Sequence, residues 1–160
     1  MSIKIIKDTS AWKAIRKNLQ DVSKKVAQVG FFDTYYGPEN DNLPVAQVAQ
    51  WNEEGEGIPM RSFIRAGFIE TLKKDSKFNE QVFYKMGLVA EGKMNMEQLL
   101  SSLGPELALM MKKEIIEFKT PRNAPLTISL KGKDDPLRDS DTMLNAVRSK
   151  STRLNSSHNH

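Results

Sequence analysis

Cysteine is missing from all 160 residues, which removes disulfides, thiolate metal sites and cysteine nucleophiles together. Histidine is almost as scarce: His158 and His160 lie in the last three residues. The body therefore offers no imidazole for a catalytic triad or a metal cage. No apolar run approaches the roughly 20 residues that cross a bilayer. The opening MSIKIIKDTSAWK lacks the apolar core and small-residue cleavage pattern of a signal peptide, so a cytosolic origin is expected. Hydrophobic residues make up 39% and aromatics 8% of the chain. That suffices for one core, and the length fits a single domain.

What the chain has in quantity is charge, at 28% of residues with a net +4. This balance permits contact with nucleic acid, but an ordinary solvated surface accounts for it more simply. The basic residues are spread among acids, and no nucleic-acid reader motif is present. Without histidine or cysteine, only carboxylates, lysines, serines and tyrosines remain for chemistry. None is placed as a nucleophile–base pair, so the chain is read as a non-enzyme without cofactor or metal. Asp134, Asp135, Asp139 and Asp141 lack the regular spacing and closing glutamate of a calcium loop.

Periodicity divides the chain into a helix-dominated α+β fold, with a small antiparallel sheet packed against several long amphipathic helices. Residues 2–6 (SIKII) read as a short opening strand. Asp8, Thr9 and Ser10 are N-cap candidates for a helix whose stripe Trp12, Ile15, Leu19, Val22 and Val26 is expected to be buried. Val26–Phe32 alternates as a strand. DTYYGPENDNLP is a loop by its turn residues, in which Tyr35 and Tyr36 suit either an interface anchor or a lid on the core.

Pro44 then opens a two-turn helix, and Gly55 and Gly57 end it. Ile58-Pro59-Met60 must be extended, and Arg61 to about Lys74 reads as helix. Glu53, Glu54 and Glu56 beside Arg61 and Arg65 suit solvated charges or pairing across a subunit boundary. Residues 76–90 form the next helix, with Phe78, Val82, Phe83, Met86, Val89 and Ala90 inward. Asn95 and Gln98 are a capping signature. They precede a long helix through Phe118 that Gly104-Pro105 should kink or split.

Beyond it, one helical turn is expected at Thr127–Leu130. Asp139 or Ser140 should cap a last helix through Val147. Residues 1–150 form the domain, while STRLNSSHNH (151–160) is polar and patternless, either a mobile native tail or a non-native addition.

Two stretches carry a resemblance: VAQVAQWNEEGEGIPMRSFIRAGF and TPRNAPLTISLKGKDDPLRDSDTMLNAV. In this order and separation they resemble the virion morphogenesis or tail-completion proteins of tailed bacteriophages, which work at the head–tail junction. The likeness spans roughly Val26 to Val147, with the helical middle similar only in kind. The matching positions are Gly55, Pro59, Arg61, Phe63 and Arg65 in the first stretch. In the second they are Pro125, Thr127, Ile128, Lys131, Gly132, Pro136, Leu137 and Asp139.

The resemblance implies a structural virion protein of the tail or neck, assembled in the host cytoplasm. Its partners would be copies of itself in a ring such as a hexamer, neck and head-completion proteins, and tail-tube or tail-terminator proteins. Contact with DNA would be incidental, and no membrane is involved. Tyr35, Tyr36, Gly55, Pro59, Arg61, Phe63, Arg65, Pro136 and Asp139 are the expected interface residues, and loss of Arg61 is expected to impair assembly while leaving the monomer folded. A small basic nucleic-acid-binding module is the alternative. Two departures stand out: Asp139-Ser140-Asp141 stands where the family usually has Asp-Thr-Gly, and the chain runs from RSK straight into STRLNSSHNH where family members continue into an alternating strand, so that strand is expected to be lost or the native C-terminus to differ.

Overall fold

The computed structural model describes residues 9–22 and 25–153. The expected strand at 2–6 lies outside them, as do residues 154–160. Strand β1 (Lys25–Phe31) pairs antiparallel with β2 (Val147–Arg153), in a register running from Lys25 opposite Arg153 to Phe31 opposite Val147. Between them lie α2 (Val45–Glu54), α3 (Glu70–Lys74), α4 (Ser76–Ala90), α5 (Met96–Glu117), α6 (Pro125–Lys131) and α7 (Thr142–Ala146), while α1 (Ser10–Val22) precedes β1. The fold is helix-dominated α+β, as the periodicity predicts.

Helix α5 is the element on which the rest is assembled. Its 22 residues make a rod of about 33 Å at 1.5 Å per residue. Asn95 accepts from the Gln98 amide and Gln98 returns a bond to the Asn95 amide, closing the expected capping box. The N-terminal half contributes Leu99 and Leu103 to one apolar cluster, with Phe78 and Val89 of α4. The C-terminal half contributes Ala108, Met111 and Ile115 to a second, with Val45, Ala49, Phe63, Leu137, Met143, Ala146 and Val147. Both strands lie against α5.

Pro105 does not divide the helix. The carbonyl it deprives of a partner belongs to Ser101, which like Pro105 is on the exposed side, where water can satisfy it. Gly104 is buried and faces β2; a Cβ there would lie 2.9 Å from Ser149 Oγ. The glycine is what lets the strand approach.

Other expectations need correction. The polar run after Val147 is strand through Arg153, not tail. It offers no apolar alternation because its inward-facing Ser149 needs to be small against Gly104. The helix expected from Arg61 begins at Phe63, and its first seven residues (Phe63–Ile69) are wound as a π-helix before α3 continues. Trp12 is 73% and Phe83 78% exposed, so neither faces the core. Helix α7 has Asp141 at its N-cap, without a side-chain capping bond. No described helix is long and apolar enough to cross a membrane.

Candidate functional site

The stretch that carries the first half of the resemblance is folded back on itself. Gly55 closes α2 in the left-handed conformation (φ +76°), its amide bonded to Trp51 O. A Cβ at that position would stand 2.8 Å from Met60 Cβ, so only glycine lets the chain return so tightly. The returning strand is fastened where the Arg61 amide donates to Asn52 O at 2.6 Å.

Glu53 is 6% exposed, and its burial has a structural cause. Its carboxylate accepts from Ser62 Oγ at 2.7 Å, the Ile64 amide at 2.8 Å and the Arg65 amide at 3.0 Å. Amides at a helix start have no partner within the helix, and a negative charge there is favoured by the helix dipole. Glu53 therefore caps the π-helix from the preceding element. This corrects the expectation of a solvated or intersubunit carboxylate. Arg65 lies 3.8 Å from Glu53 and 3.7 Å from Glu54, but is 72% exposed, so those pairs contribute little.

Arg61 is the second node. It is 6% exposed and its guanidinium donates to Asn52 Oδ1 at 3.0 Å, Asn123 Oδ1 at 3.2 Å and Pro121 O at 3.4 Å. Burial lowers its pKa, and the negative charge of Asp134 works against that; an arginine so placed remains a cation. The acceptors come from both resembling stretches, Pro121 and Asn123 lying 60 and 62 residues beyond Arg61 along the chain. Arg61 is thus an internal tie. The expectation that its loss would spare the monomer does not fit this geometry.

The loop that carries Asn123 is braced in turn. Asp134 accepts from the Asn123 amide at 3.0 Å and pairs with Arg122, and the Lys119 ammonium lies 2.9 Å from Asp135. Hydrogen bonding from Arg122 holds the Asp134 carboxyl below the usual range, and Lys119 does the same for Asp135.

A third group forms near Lys131. Burial lowers the Lys131 pKa, and Asp139 opposes this; burial and then the charge of Asp139 raise that of Tyr36. Tyr36 and Asp139, both expected interface residues, are thereby placed in one electrostatic neighbourhood. Asp141 adopts the left-handed conformation (φ +57°), at the position where the pattern that the chain resembles has glycine. Its carboxylate takes two bonds from Arg138, at 2.8 and 3.0 Å. An aspartate tolerates that conformation better than most side chains do, so the turn does not depend on a glycine.

The expected interface set therefore divides. Tyr35, Pro59, Arg65 and Asp139 are on the surface; Tyr36 and Gly55 are half-buried; Arg61, Phe63 and Pro136 are interior. Asn52, Glu53 and Asn123 were not foreseen as parts of this arrangement. The Glu53–Ser62 spacing of nine residues is too long for a local capping motif to reveal it. Among the described residues, no group of three or more His, Cys, Asp or Glu could hold a metal. Compared with protein-family models, curated proteins and solved structures, the chain matches none.

Proposed function

We propose that this protein is a structural component of a tailed-bacteriophage virion that completes the tail or joins it to the head, acting by ring-type self-assembly and protein–protein contacts. The observation that carries this reading is the Arg61 tie. Two separated stretches, each resembling tail-completion proteins, are drawn into one unit by a buried guanidinium bonded to Asn52, Pro121 and Asn123. The unit is a rigid frame of glycine turns, prolines and satisfied charges. Such a frame suits holding a fixed contact geometry better than it suits turnover. The copies, the neck and head-completion proteins and the tail-tube or terminator proteins would be its partners, and the virion its location.

The alternative, a basic nucleic-acid-binding module, gains little from the surface. Lys73, Lys113, Lys119 and Arg122 each sit against an acid, which lowers their value as phosphate contacts. Phage particles made without this protein decide the matter by electron microscopy. Tailless heads beside free tails support a joining role, and unfinished or overlong tails support a completing role. Normal infectious particles refute both.

A further inference from the structure

Arg148 is a cation that the chain fixes in place without neutralising it. Arg65, Arg122 and Arg138 each lie against a carboxylate. Arg148, near the start of β2, is exposed, and its Nη2 donates instead to Phe32 O at 2.5 Å and to Thr34 Oγ1 at 3.0 Å. Thr34 Oγ1 in turn donates to Phe32 O at 2.8 Å. Both acceptors are neutral, and no acid among the described residues pairs with this guanidinium. Nη2 spends both its hydrogens on the anchors, so Nε and Nη1 are the donors left over. Arginine has much rotamer freedom to lose. A surface arginine held still by neutral acceptors is a charge set in position for a ligand.

Arg148 lines an open cleft of about 560 Å³, within the size range of ligand sites. Asp33 and Thr34 reach it from the chain just after β1, and Ser140, Thr142 and Asn145 from the turn into α7 and from α7 itself. Apart from Ala146 the lining is polar: one guanidinium, three hydroxyls, one carboxamide and one carboxylate. Ser140 Oγ and Thr142 Oγ1 are hydrogen-bonded to each other at 2.8 Å. Tyr35 and Asp139, both expected at an interface and both exposed, are the chain neighbours of Thr34 and Ser140. The cleft adjoins the Phe31–Val147 end of the ladder. The Lys25–Arg153 end lies at the far end of the seven-residue strands, about 20 Å away.

We infer that this cleft takes an acidic segment of a protein partner, with a side-chain carboxylate on Arg148 and peptide groups on the hydroxyls and the Asn145 amide. A carboxylate accepts the charge-assisted bonds that Nε and Nη1 still offer. Asp33 limits the charge that fits. A dianionic phosphate would meet its negative charge within the same recess, and so would the phosphate run of a nucleic acid. A single carboxylate carries less charge and leaves Asp33 to accept from a neighbouring peptide N–H. Hydroxyls both donate and accept, so they suit main chain better than they suit a second charge. The cleft is complete in one copy, and its occupation does not depend on the ring-type assembly proposed above.

The test is an amide NMR titration of the full chain with the peptide acetyl-Gly-Ser-Glu-Gly-Ser-Gly-amide and with versions carrying glutamine or phosphoserine in place of the glutamate. The glutamate peptide should shift the amides of Thr34, Thr142 and Arg148 saturably. Loss of a charge-assisted bond should weaken binding at least about tenfold, both for the glutamine peptide on wild type and for the glutamate peptide on Arg148→Gln. That position is exposed, and circular dichroism checks the fold. Thr34→Val, which releases one of the two anchors of the guanidinium, should weaken the glutamate peptide by a smaller factor. Asp33→Asn should strengthen the phosphoserine peptide by a larger factor than the glutamate peptide.

Absence of a saturable shift at those three amides up to about 20 mM peptide, the weak end of measurable affinity, overturns the site. Equal affinity for the glutamate and glutamine peptides, or unchanged affinity in Arg148→Gln, overturns the role of Arg148. A phosphoserine peptide that binds wild type more tightly than the glutamate peptide overturns the carboxylate as the ligand. Sodium acetate that binds as tightly as the glutamate peptide overturns the protein partner, because the cleft would then hold a free carboxylate and nothing more. None of these results touches the proposed virion role, which particles made without the protein decide separately.

Discussion

Replacing Arg61 by alanine separates an internal tie from an assembly contact. The substitution removes donors from Asn52 Oδ1, Asn123 Oδ1 and Pro121 O. A buried acceptor left without a partner costs about 1–3 kcal/mol. Here the bonds lengthen from 3.0 to 3.4 Å, so the longest deserves little weight and the two side-chain acceptors together account for about 2–3 kcal/mol. Loss of the buried methylene stem adds up to about 2 kcal/mol at ~0.8 kcal/mol per CH₂. Relief of the cost of burying the guanidinium offsets part of this. The expected net destabilisation is about 3 kcal/mol, which for a chain of this size corresponds to a fall in Tm of roughly 6–12 °C.

Differential scanning calorimetry on the Arg61→Ala and Arg61→Lys proteins measures it. Lysine keeps the charge but not the planar fork that reaches separated acceptors, so it should recover less than half of the loss. A drop of under 2 °C in Arg61→Ala would show that the guanidinium does not hold the two stretches together. If such a protein also failed to assemble, Arg61 would be a contact residue after all.

Four further outcomes follow from the same geometry. Glu53→Gln removes the charge from the π-helix start and one of its two acceptor oxygens, and should destabilise the chain by about 2 kcal/mol in urea denaturation. Gly104→Ala pushes a methyl group against Ser149 and should cost about 1–3 kcal/mol, with Ser149→Gly restoring part of it in the double variant. Gly87→Ala, whose new Cβ meets nothing within 4 Å among the described residues, should raise stability by up to about 1 kcal/mol in the same denaturation assay. Asp134 has its folded pKa held below that of an unfolded aspartate, about 3.9, chiefly by Arg122. Its contribution is therefore full above that value and is lost as pH falls through the lower folded one. Acid titration of Tm should show a shallower drop below about pH 4 for Asp134→Asn than for wild type.

The elements that the sequence announced were those whose signals are local. The Asn95–Gln98 box, the Gly55 helix stop, the alternation of β1 and the apolar spacing of α5 each lie within one or two turns of chain. What stayed hidden depended on partners far away. Strand β2 exists because β1 offers a ladder to Arg148, Ser149 and Lys150, and a polar strand against a glycine leaves no hydrophobic pattern. Trp12 and Phe83 sit at helical spacing with core residues, but spacing fixes a face and not what lies opposite it. The resembling stretches contain the residues that Glu53 and Arg61 tie together, but their sequence does not show the direction of those side chains. Arg61 looked like a surface contact because its acceptors at Pro121 and Asn123 are 60 and 62 positions away.

The π-wound segment Phe63–Ile69 has a consequence for insertions and deletions. In an α-helix residue i+4 stands nearly above residue i, whereas in a π-helix residue i+5 does. The Gly67 amide reaches back to Ser62 O at 3.1 Å, five residues earlier, while the Ala66 amide also lies 3.2 Å from it. The segment thus carries one residue more than an α-helix would need to bring Phe68 to the same side as Phe63. Loss of a single codon at Ala66 would let it rewind as an α-helix with both phenylalanines still facing the core. The same loss in the middle of α5 would turn every later side chain by about 100° and pull apart the apolar clusters at its two ends. A scan of one-residue deletions should therefore find a tolerant position in the middle of this otherwise rigid frame.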